Sequence, residues 1–357
     1  MTRRRDTTPM AGVNSLGRPI RVLVVDDSAA FRQALALALG SDAEIDVVGQ
    51  AADGKSALAK VRELRPDVVT MDVMMPVMDG LEAAKTIMQE QPTPIILLST
   101  LARTEEQRIA LNALRLGVVD VANKPPLSGP NAPGGIASMV RLVRAAAGVE
   151  VAPRRHQPHK LSAVAGKRTV ELIAVAASTG GPPALEQMLK GLAADCPPVV
   201  IAQHLAASFA RGFAEWLAAA TGRIVANVSI SEPLIRGRVY VAAEHMHIRV
   251  SSAFAEGVKT RPGELAPNAD ILFHSVAQSF GGDAIGVVLT GMGNDGAAGL
   301  GAMRAAGAWT IAQDRDSSVV WGMPRVAFEA GACSEILPLD DIAPRLVSLL
   351  PSDGATS

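Results

Sequence analysis

The chain has 357 residues, and its 34 basic residues almost balance its 35 acidic ones, so the net charge at pH 7 is −1. This balance gives no electrostatic argument for binding nucleic acid or an anionic membrane surface. Cys196 and Cys333 are too few for a disulfide framework, and no apolar run approaches the length of a membrane span. With 48% hydrophobic residues the chain can bury two cores. We therefore expect a cytoplasmic protein of two domains, without bound nucleic acid and without direct membrane insertion.

Strand and helix patterns alternate along the first part of the chain. Four apolar runs are each followed by a segment whose apolar residues have helical spacing, and a fifth run ends at a Lys-Pro pair. Five such units predict a parallel sheet covered by helices on both faces. The predicted strands are residues 22–25, 45–49, 68–71, 95–98 and 118–122, and the predicted helices are residues 31–39, 55–64, 80–89 and 105–116.

Polar side chains stand where these predicted strands end. Asp26 and Asp27 follow the first strand, Asp72 the third, Ser99 the fourth and Lys124 the fifth. Since the carboxyl ends of parallel strands share one edge of the sheet, the three carboxylates would repel one another unless a cation lay among them. Mg²⁺ suits such a site because it prefers oxygen ligands. A solvated loop position is the simpler interpretation for any one aspartate, but the set together with the lysine favours a site.

This region resembles the response-regulator receiver family, which implies a flavodoxin-like (βα)5 domain. The resemblance implies that Asp72 accepts a phosphoryl group from a histidine kinase of the CheA type. It further implies that Asp26, Asp27 and Asp72 bind Mg²⁺, that Ser99 contacts the phosphoryl group and that Lys124 pairs with it. The motifs that carry the resemblance are Asp26-Asp27, Met71-Asp72, Met75-Pro76, Met78-Asp79-Gly80, Ser99 and Lys124-Pro125.

The composition changes to Pro, Gly, Ala and basic residues between residues 131 and 168. Apart from a possible helix over residues 136–147, this stretch lacks the spaced apolar residues that would offset the entropy cost of ordering it. We predict a receiver domain at residues 20–144, a linker at residues 145–168 and a second domain at residues 169–352. The basic cluster in the linker is more simply a solvated tether than a binding site.

An apolar strand pattern in the second domain stops at Ser178-Thr179-Gly180-Gly181 and is followed by a helical pattern. A serine at such a turn can project its hydroxyl above the sheet edge, while glycines let backbone N–H groups approach a reacting group. The same turn could instead cradle a phosphate. Two more predicted strands favour catalysis, because one ends at His204 and the other leads into a glycine-rich turn that carries Asp295. The three side chains can meet at the carboxyl edge of one parallel sheet.

Acyl transfer would need all three of these residues. A serine needs a histidine to take its proton and return it to the leaving group, and a carboxylate to hold the histidine tautomer. Ser178, His204 and Asp295 supply one of each, and the Met292 backbone N–H with the Thr179 hydroxyl could stabilise the oxyanion. Taken singly, each residue has a simpler structural interpretation, as a satisfied histidine, a turn aspartate or core filler.

The second domain resembles the catalytic domain of the chemotaxis protein-glutamate methylesterase, or CheB, family. The resemblance implies a doubly wound, mostly parallel α/β methylesterase domain with an added hairpin at residues 237–259 and no cofactor for the esterase. It implies hydrolysis of glutamate methyl esters on methyl-accepting chemoreceptors, with deamidation of receptor glutamines in some members. His247 matches a histidine near the family's active site, and we predict that it belongs to the oxyanion or substrate region. The motifs are Ala177-Ser178-Thr179-Gly180-Gly181-Pro182, Gln203-His204, Asp270, Leu272-Phe273, Ser275, the run from Leu289 to Gly296, Gln313 and Val320-Trp321-Gly322-Met323-Pro324.

Two other classes of function are open to a chain with a receiver domain. A DNA-binding output domain would need a basic recognition helix, and none stands out in the second domain. A nucleotide-binding second domain would use the glycine turns as phosphate cradles, but that domain has no GxxxxGK[ST] motif. Esterase activity is therefore the preferred interpretation.

Overall fold

The five apolar runs of the N-terminal region form one parallel sheet. The computed structural model describes residues 17–100, 110–149, 169–261, 264 and 266–350. The strand order β2-β1-β3-β4-β5 is that of flavodoxin-like folds, which confirms the predicted class of the first domain. The strands are β1 (Ile20–Val25), β2 (Ile45–Ala51), β3 (Val68–Asp72), β4 (Ile95–Ser99) and β5 (Asp120–Asn123).

Helices cover this sheet and begin at polar caps. The Asp53 side chain accepts a hydrogen bond from the Ser56 N–H in a capping box, and the Asp79 side chain accepts one from the Glu82 N–H. The predicted helix over residues 105–116 lies partly outside the described residues, and its described end is a 3-10 turn over Leu114–Leu116. The helices with printed bounds are α1 (Ala29–Gly40), α2 (Gly54–Leu64), α3 (Gly80–Glu90) and α4 (Ala132–Ala147).

The second domain is built on a seven-stranded sheet in which every neighbouring pair is parallel. Its order is β15-β14-β13-β6-β7-β10-β8. The chain runs outward from β13 on one side, and on the other it passes from β6 and β7 to β8 at the edge before β10 fills the gap. This confirms the doubly wound fold and puts the topological switch point between β6 and β13, where ligands of such sheets bind. These strands are β6 (Leu172–Ala177), β7 (Val199–Gln203), β8 (Val225–Val228), β10 (Val239–Ala242), β13 (Ala284–Val288), β14 (Trp309–Gln313) and β15 (Glu335–Leu337).

Both faces of the second sheet are buried, as strand β6 shows. Its side chains alternate between two apolar clusters, with Ile173 and Val175 in one cluster and Ala174 and Ala176 in the other. After β14 the described chain forms two helices with β15 between them. The helices are α5 (Gly181–Lys190), α6 (Ala210–Thr221), α7 (Ala269–Phe280), α8 (Ala297–Ala305), α9 (Met323–Glu329) and α10 (Leu339–Leu349).

The predicted hairpin forms as β11 (Met246–Val250) and β12 (Phe254–Lys259), but it does not extend the main sheet. Together with β9 (Ser231–Pro233) it makes a separate antiparallel sheet of order β11-β12-β9. Strand β11 begins only after His245, which has a left-handed backbone conformation with φ of 57°. His245 and His247 therefore do not share a strand face: the His245 side chain is exposed, and His247 is buried.

The two domains pack against each other through helix α6 and the 3-10 turn. The Trp216 indole N–H donates a hydrogen bond to the Asn112 side chain at 3.1 Å. Arg115 makes two hydrogen bonds to the Glu186 carboxylate, at 2.8 and 3.0 Å, and its guanidinium lies 5.0 Å from the centre of the Trp216 ring. Trp216 is thus buried at a boundary between domains. Among the described residues, no helix is both long enough and apolar enough to cross a membrane.

Candidate active site

Ser178 lies at the end of β6, in a turn that only glycines allow. Its backbone N–H donates to the Thr290 carbonyl at 3.0 Å, and Gly180 follows with a φ of 75°. A Cβ atom added to Gly291 would lie 2.7 Å from the Ser178 Cβ atom, closer than real Cβ contacts permit. The glycine-rich loop after β13 therefore reaches the serine directly.

His204 follows the adjacent strand β7 and stands beside the serine turn. Its backbone N–H donates to the Ala177 carbonyl at 2.9 Å. The Gln203 side-chain amide donates to the carbonyls of both Ser178 and His204, at 2.9 Å each. One buried amide thus joins the backbones of the predicted nucleophile and the predicted base.

Asp295 reaches His204 from the loop after β13. Its Oδ2 atom lies 2.7 Å from His204 Nε2 and accepts the Ala269 N–H at 2.7 Å, while Oδ1 accepts the Asp270 N–H at 3.0 Å. Burial alone would raise the pKa of Asp295, but these hydrogen bonds outweigh it and lower the pKa. The carboxylate therefore stays ionised, and with Nε2–H donating to it, the Nδ1 atom of His204 is the basic nitrogen. Within the described part of the chain, no hydrogen bond joins the Ser178 hydroxyl to His204.

The two predicted oxyanion groups have different surroundings. Thr179 is buried, and its hydroxyl donates a 2.7 Å hydrogen bond to Oδ2 of Asp120 in the receiver domain. Desolvation between the domains raises the pKa of Asp120 to about 6, against the hydrogen bonds from Thr179 and from the Val121 N–H. The Met292 N–H points to no acceptor among the described residues. In this arrangement of the domains, the Thr179 hydroxyl is engaged by Asp120, and among the described residues the Met292 N–H has no acceptor.

The receiver domain also contacts the segment that follows His204. Asn123, the last residue of β5, lies 3.3 Å from the Ser208 hydroxyl. The His204 and Asp295 side chains are only 7% and 9% exposed. A protein substrate would therefore need the domains to separate before it could reach these side chains.

His247 is buried on strand β11, next to the start of helix α7. Its Nδ1 atom accepts the Asn268 N–H at 3.0 Å, and its Nε2 atom lies 3.2 Å from the Glu264 carboxylate. Both ring nitrogens thus have partners within the protein.

The receiver carboxylates form a second site. Carboxylate oxygens of Asp26, Asp27 and Asp72 lie within 4.8 Å of one another, and Lys124 Nζ lies 2.7 Å from Asp26 and 2.8 Å from Asp72. Desolvation and the neighbouring carboxylates raise the pKa of Asp72 despite Lys124. Ser99 is buried at the end of β4, and its carbonyl accepts the Lys124 N–H at 3.0 Å. Three oxygen ligands of this kind fit the Mg²⁺ that receiver domains use.

Sequence reasoning missed the residues that join the domains. Asp120, Asn112 and Arg115 carry no motif, and their partners stand 59 to 104 residues away in the chain. The apolar face of α6 could have indicated a domain contact, because it includes the Trp216 indole, whose N–H needs an acceptor when it is buried.

Comparison with known proteins agrees with this architecture. Residues 22–128 match the response regulator receiver domain family, and residues 173–346 match the CheB methylesterase family. A protein-glutamate methylesterase/protein-glutamine glutaminase of Geobacter metallireducens is 42% identical over 342 residues, which cover 92% of this chain and 99% of the relative. A protein of the same description from Xanthomonas euvesicatoria is 41% identical over 356 residues, which cover 94% and 98%. With matching domains in the same order and relatives aligned over nearly their full length, the chain belongs to the CheB family of receiver-linked methylesterases.

Proposed function

We propose that this protein hydrolyses glutamate methyl esters on chemoreceptors, releasing methanol, and deamidates receptor glutamines with the same side chains. One observation carries the proposal: the His204–Asp295 pair at 2.7 Å, next to the Ser178 turn at the switch point of the sheet. Serine, histidine and aspartate at one rim are the groups that acyl transfer needs.

In the first half-reaction, Ser178 Oγ attacks the ester carbonyl carbon while His204 takes the hydroxyl proton. Asp295 stabilises the imidazolium without itself taking a proton. The Met292 N–H donates to the oxyanion of the tetrahedral intermediate, and one such donor is typically worth about 3 kcal/mol in the transition state. His204 then gives its proton to the methoxy oxygen, and methanol leaves.

In the second half-reaction, water attacks the acyl-serine. His204 takes a proton from the water and returns it to Ser178 Oγ as the acyl bond breaks, which leaves a glutamate carboxylate and the original serine. With a glutamine side chain as substrate, the first leaving group is ammonia instead of methanol.

The test is methanol release from methylated receptor membranes. Ser178→Ala should release no methanol above the uncatalysed rate while keeping its melting temperature, because no other hydroxyl replaces the nucleophile. Ser231→Ala, at an exposed serine of β9, is the matched control and should match the unmodified protein. Retained turnover in Ser178→Ala would remove Ser178 from the mechanism.

We further propose that phosphorylation of Asp72 by a CheA-type histidine kinase relieves the closed arrangement. Mg²⁺, held by Asp26, Asp27 and Asp72, would supply the positive charge that phosphoryl transfer needs. A phosphoryl group adds about −1.5 to −2 charge to the edge of the receiver sheet and so favours another arrangement of the domain boundary. The hydrogen bond between Thr179 and Asp120 supports this proposal, because it closes the site beside the nucleophile.

Acetyl phosphate with Mg²⁺ tests this regulation. We expect it to raise the rate of methanol release from the unmodified protein and to leave the rate of Asp72→Asn unchanged. Equal rates before and after the addition, with Asp72 modification verified by mass spectrometry, would contradict it.

A further inference from the structure

We infer that His247 is a positioning residue, which holds the start of helix α7 so that two backbone N–H groups of that helix orient Asp295. This inference rests on the proposed function only in treating Ser178, His204 and Asp295 as the reacting set. It gives His247 a different part from the oxyanion or substrate contact that the sequence predicts.

The first step is the contact between His247 and the residue that caps the helix. The Nδ1 atom of His247 accepts the Asn268 backbone N–H at 3.0 Å, so this nitrogen carries no proton. The other nitrogen, Nε2, carries the proton and faces the Glu264 carboxylate at 3.2 Å. The two contacts together set one tautomer and one ring orientation.

The second step leads from the cap to the catalytic aspartate. Asn268 is the N-cap of α7, and its side chain accepts the Ile271 N–H at 2.8 Å. The next two N–H groups, of Ala269 and Asp270, are the ones that bind Asp295, at 2.7 and 3.0 Å. The backbone held by His247 is therefore continuous with the backbone that holds Asp295.

Other contacts attach β11 to α7 independently of the ring. The Val250 N–H donates to the Ser275 hydroxyl at 3.0 Å, in the middle of the helix. Removing the His247 contact should thus leave the helix packed and release only its first turn. Such a release moves Asp295, and a misplacement of about 1 Å in a catalytic geometry can cost around 100-fold in rate.

The burial of His247 argues against direct contact with substrate. Its relative exposure is 4%, and both ring nitrogens are engaged. A substrate-binding role would require the ring to exchange these partners for the substrate.

Two substitutions separate these roles because they copy different nitrogens. In His247→Asn, the amide oxygen occupies the place of Nδ1 and can accept the Asn268 N–H. In His247→Gln, the amide reaches the place of Nε2 and leaves the Asn268 N–H without its acceptor. We expect His247→Asn to keep kcat within about threefold, and His247→Gln to lose about 10- to 100-fold in kcat with KM unchanged.

The measurements use the full chain with acetyl phosphate and Mg²⁺, and two substrates: methylated receptor membranes and p-nitrophenyl acetate. The kcat difference between Asn and Gln should appear with both. If only p-nitrophenyl acetate is hydrolysed by the unmodified protein, the proposed receptor function fails while the Asn and Gln comparison still tests the positioning role. Equal kcat losses in the two variants, or a loss confined to KM, would overturn the inference.

A second comparison tests whether the effect of His247 passes through Asp295. Positioning through Asp295 requires that, in an Asp295→Asn background, the further change His247→Gln lowers kcat no more than His247→Asn does. If His247→Gln yields no folded protein, His247→Asn alone decides, since an Asn variant that loses more than about tenfold in kcat at a normal melting temperature contradicts the inference.

Discussion

Two aspartates, one in each domain, stand at the carboxyl edge of a parallel sheet and meet a nitrogen of a basic side chain at nearly the same distance. Lys124 Nζ lies 2.8 Å from Asp72, and His204 Nε2 lies 2.7 Å from Asp295. Their pKa values nevertheless move in opposite directions. Desolvation raises the pKa of Asp72, which also faces Asp26 and Asp27, whereas the hydrogen bonds to Asp295 overcome its desolvation and lower its pKa.

The difference lies in the backbone donors. Both oxygens of Asp295 accept N–H groups from the start of α7, so its carboxylate is anionic and fixed in orientation. Asp72 has like charges as neighbours, and their mutual repulsion favours a cation at this site. The same residue type is thus held by backbone donors in one domain and lies among other carboxylates and a lysine in the other.

The largest effect on activity should come from Asp295→Asn. An amide cannot accept from all three donors that Asp295 binds, so the His204 tautomer should be lost. In serine hydrolases the corresponding loss lowers kcat by about 10⁴-fold, and we expect a similar fall in methanol release with KM little changed. Asp195→Asn, at an exposed position, is the control and should have no effect. A fall of less than tenfold would show that Asp295 does not hold the tautomer.

The next largest effect should come from Lys124→Met in the receiver. Lys124 is only 13% exposed, and its loss leaves Asp26 and Asp72 without their cation. Breaking a buried pair typically costs about 3 kcal/mol of stability. Calorimetry of the full chain should show a lower transition temperature, and added Mg²⁺ should recover more stability in this variant than in the unmodified protein.

Lys85→Met, at an exposed lysine of α3, supplies the comparison for that experiment. If Mg²⁺ stabilises Lys124→Met and the unmodified protein equally, then Lys124 is not what offsets the repulsion among the carboxylates.

The smallest effect should come from a third aspartate, Asp120, at the domain boundary. Its pKa is raised to about 6 in the closed arrangement, from an ordinary value of 3.8. Closure is therefore favoured most when Asp120 is protonated, and this contribution is lost as the pH rises from about 4 through 6. Asp120→Asn copies the protonated carboxyl at every pH, since its oxygen can accept the Val121 N–H and its amide can donate to Thr179.

We expect Asp120→Asn to lower the basal methanol release of the unphosphorylated protein, by roughly tenfold at pH 7.5. The rate of Asp120→Asn divided by that of the unmodified protein should approach one as the pH falls toward 5, because Asp120 is then protonated in the closed arrangement. Effects of pH that are common to both proteins cancel in this ratio. Asp46→Asn, at an exposed aspartate of β2, should give a ratio of one throughout. A higher basal rate in Asp120→Asn than in the unmodified protein would contradict the claim that protonated Asp120 favours closure.

Local patterns were enough for most of the architecture. The apolar runs predict the strands of the receiver sheet and most strands of the second sheet, although not β15. Polar residues at strand ends predict which side chains gather at each edge. The added hairpin was predicted, but its separation from the main sheet was not. Strand alternation indicates that β11 has a buried face, yet it does not indicate whether a sheet or a helix covers that face.

The contacts that close the site are beyond what a sequence pattern can indicate. Thr179 was predicted as an oxyanion donor, and nothing near it in the chain signals that Asp120 takes its hydroxyl. Likewise, the spacing of Trp216 predicts burial but gives no partner, and its acceptor is Asn112 in the other domain. Contacts of this kind depend on how the surfaces of the two folded domains pack against each other.

Asn123, the last residue of β5, and Lys124, which follows it, have side-chain partners in different domains. Asn123 lies at hydrogen-bond distance from Ser208 of the methylesterase domain, and Lys124 reaches Asp26 and Asp72. Neighbouring side chains on an extended backbone project to opposite sides, so this alternation keeps the two contacts apart while a single peptide unit links them. A one-residue insertion between Asn123 and Lys124 would invert that alternation, so the chain could no longer place Asn123 beside Ser208 and Lys124 beside Asp26 and Asp72 at the same time.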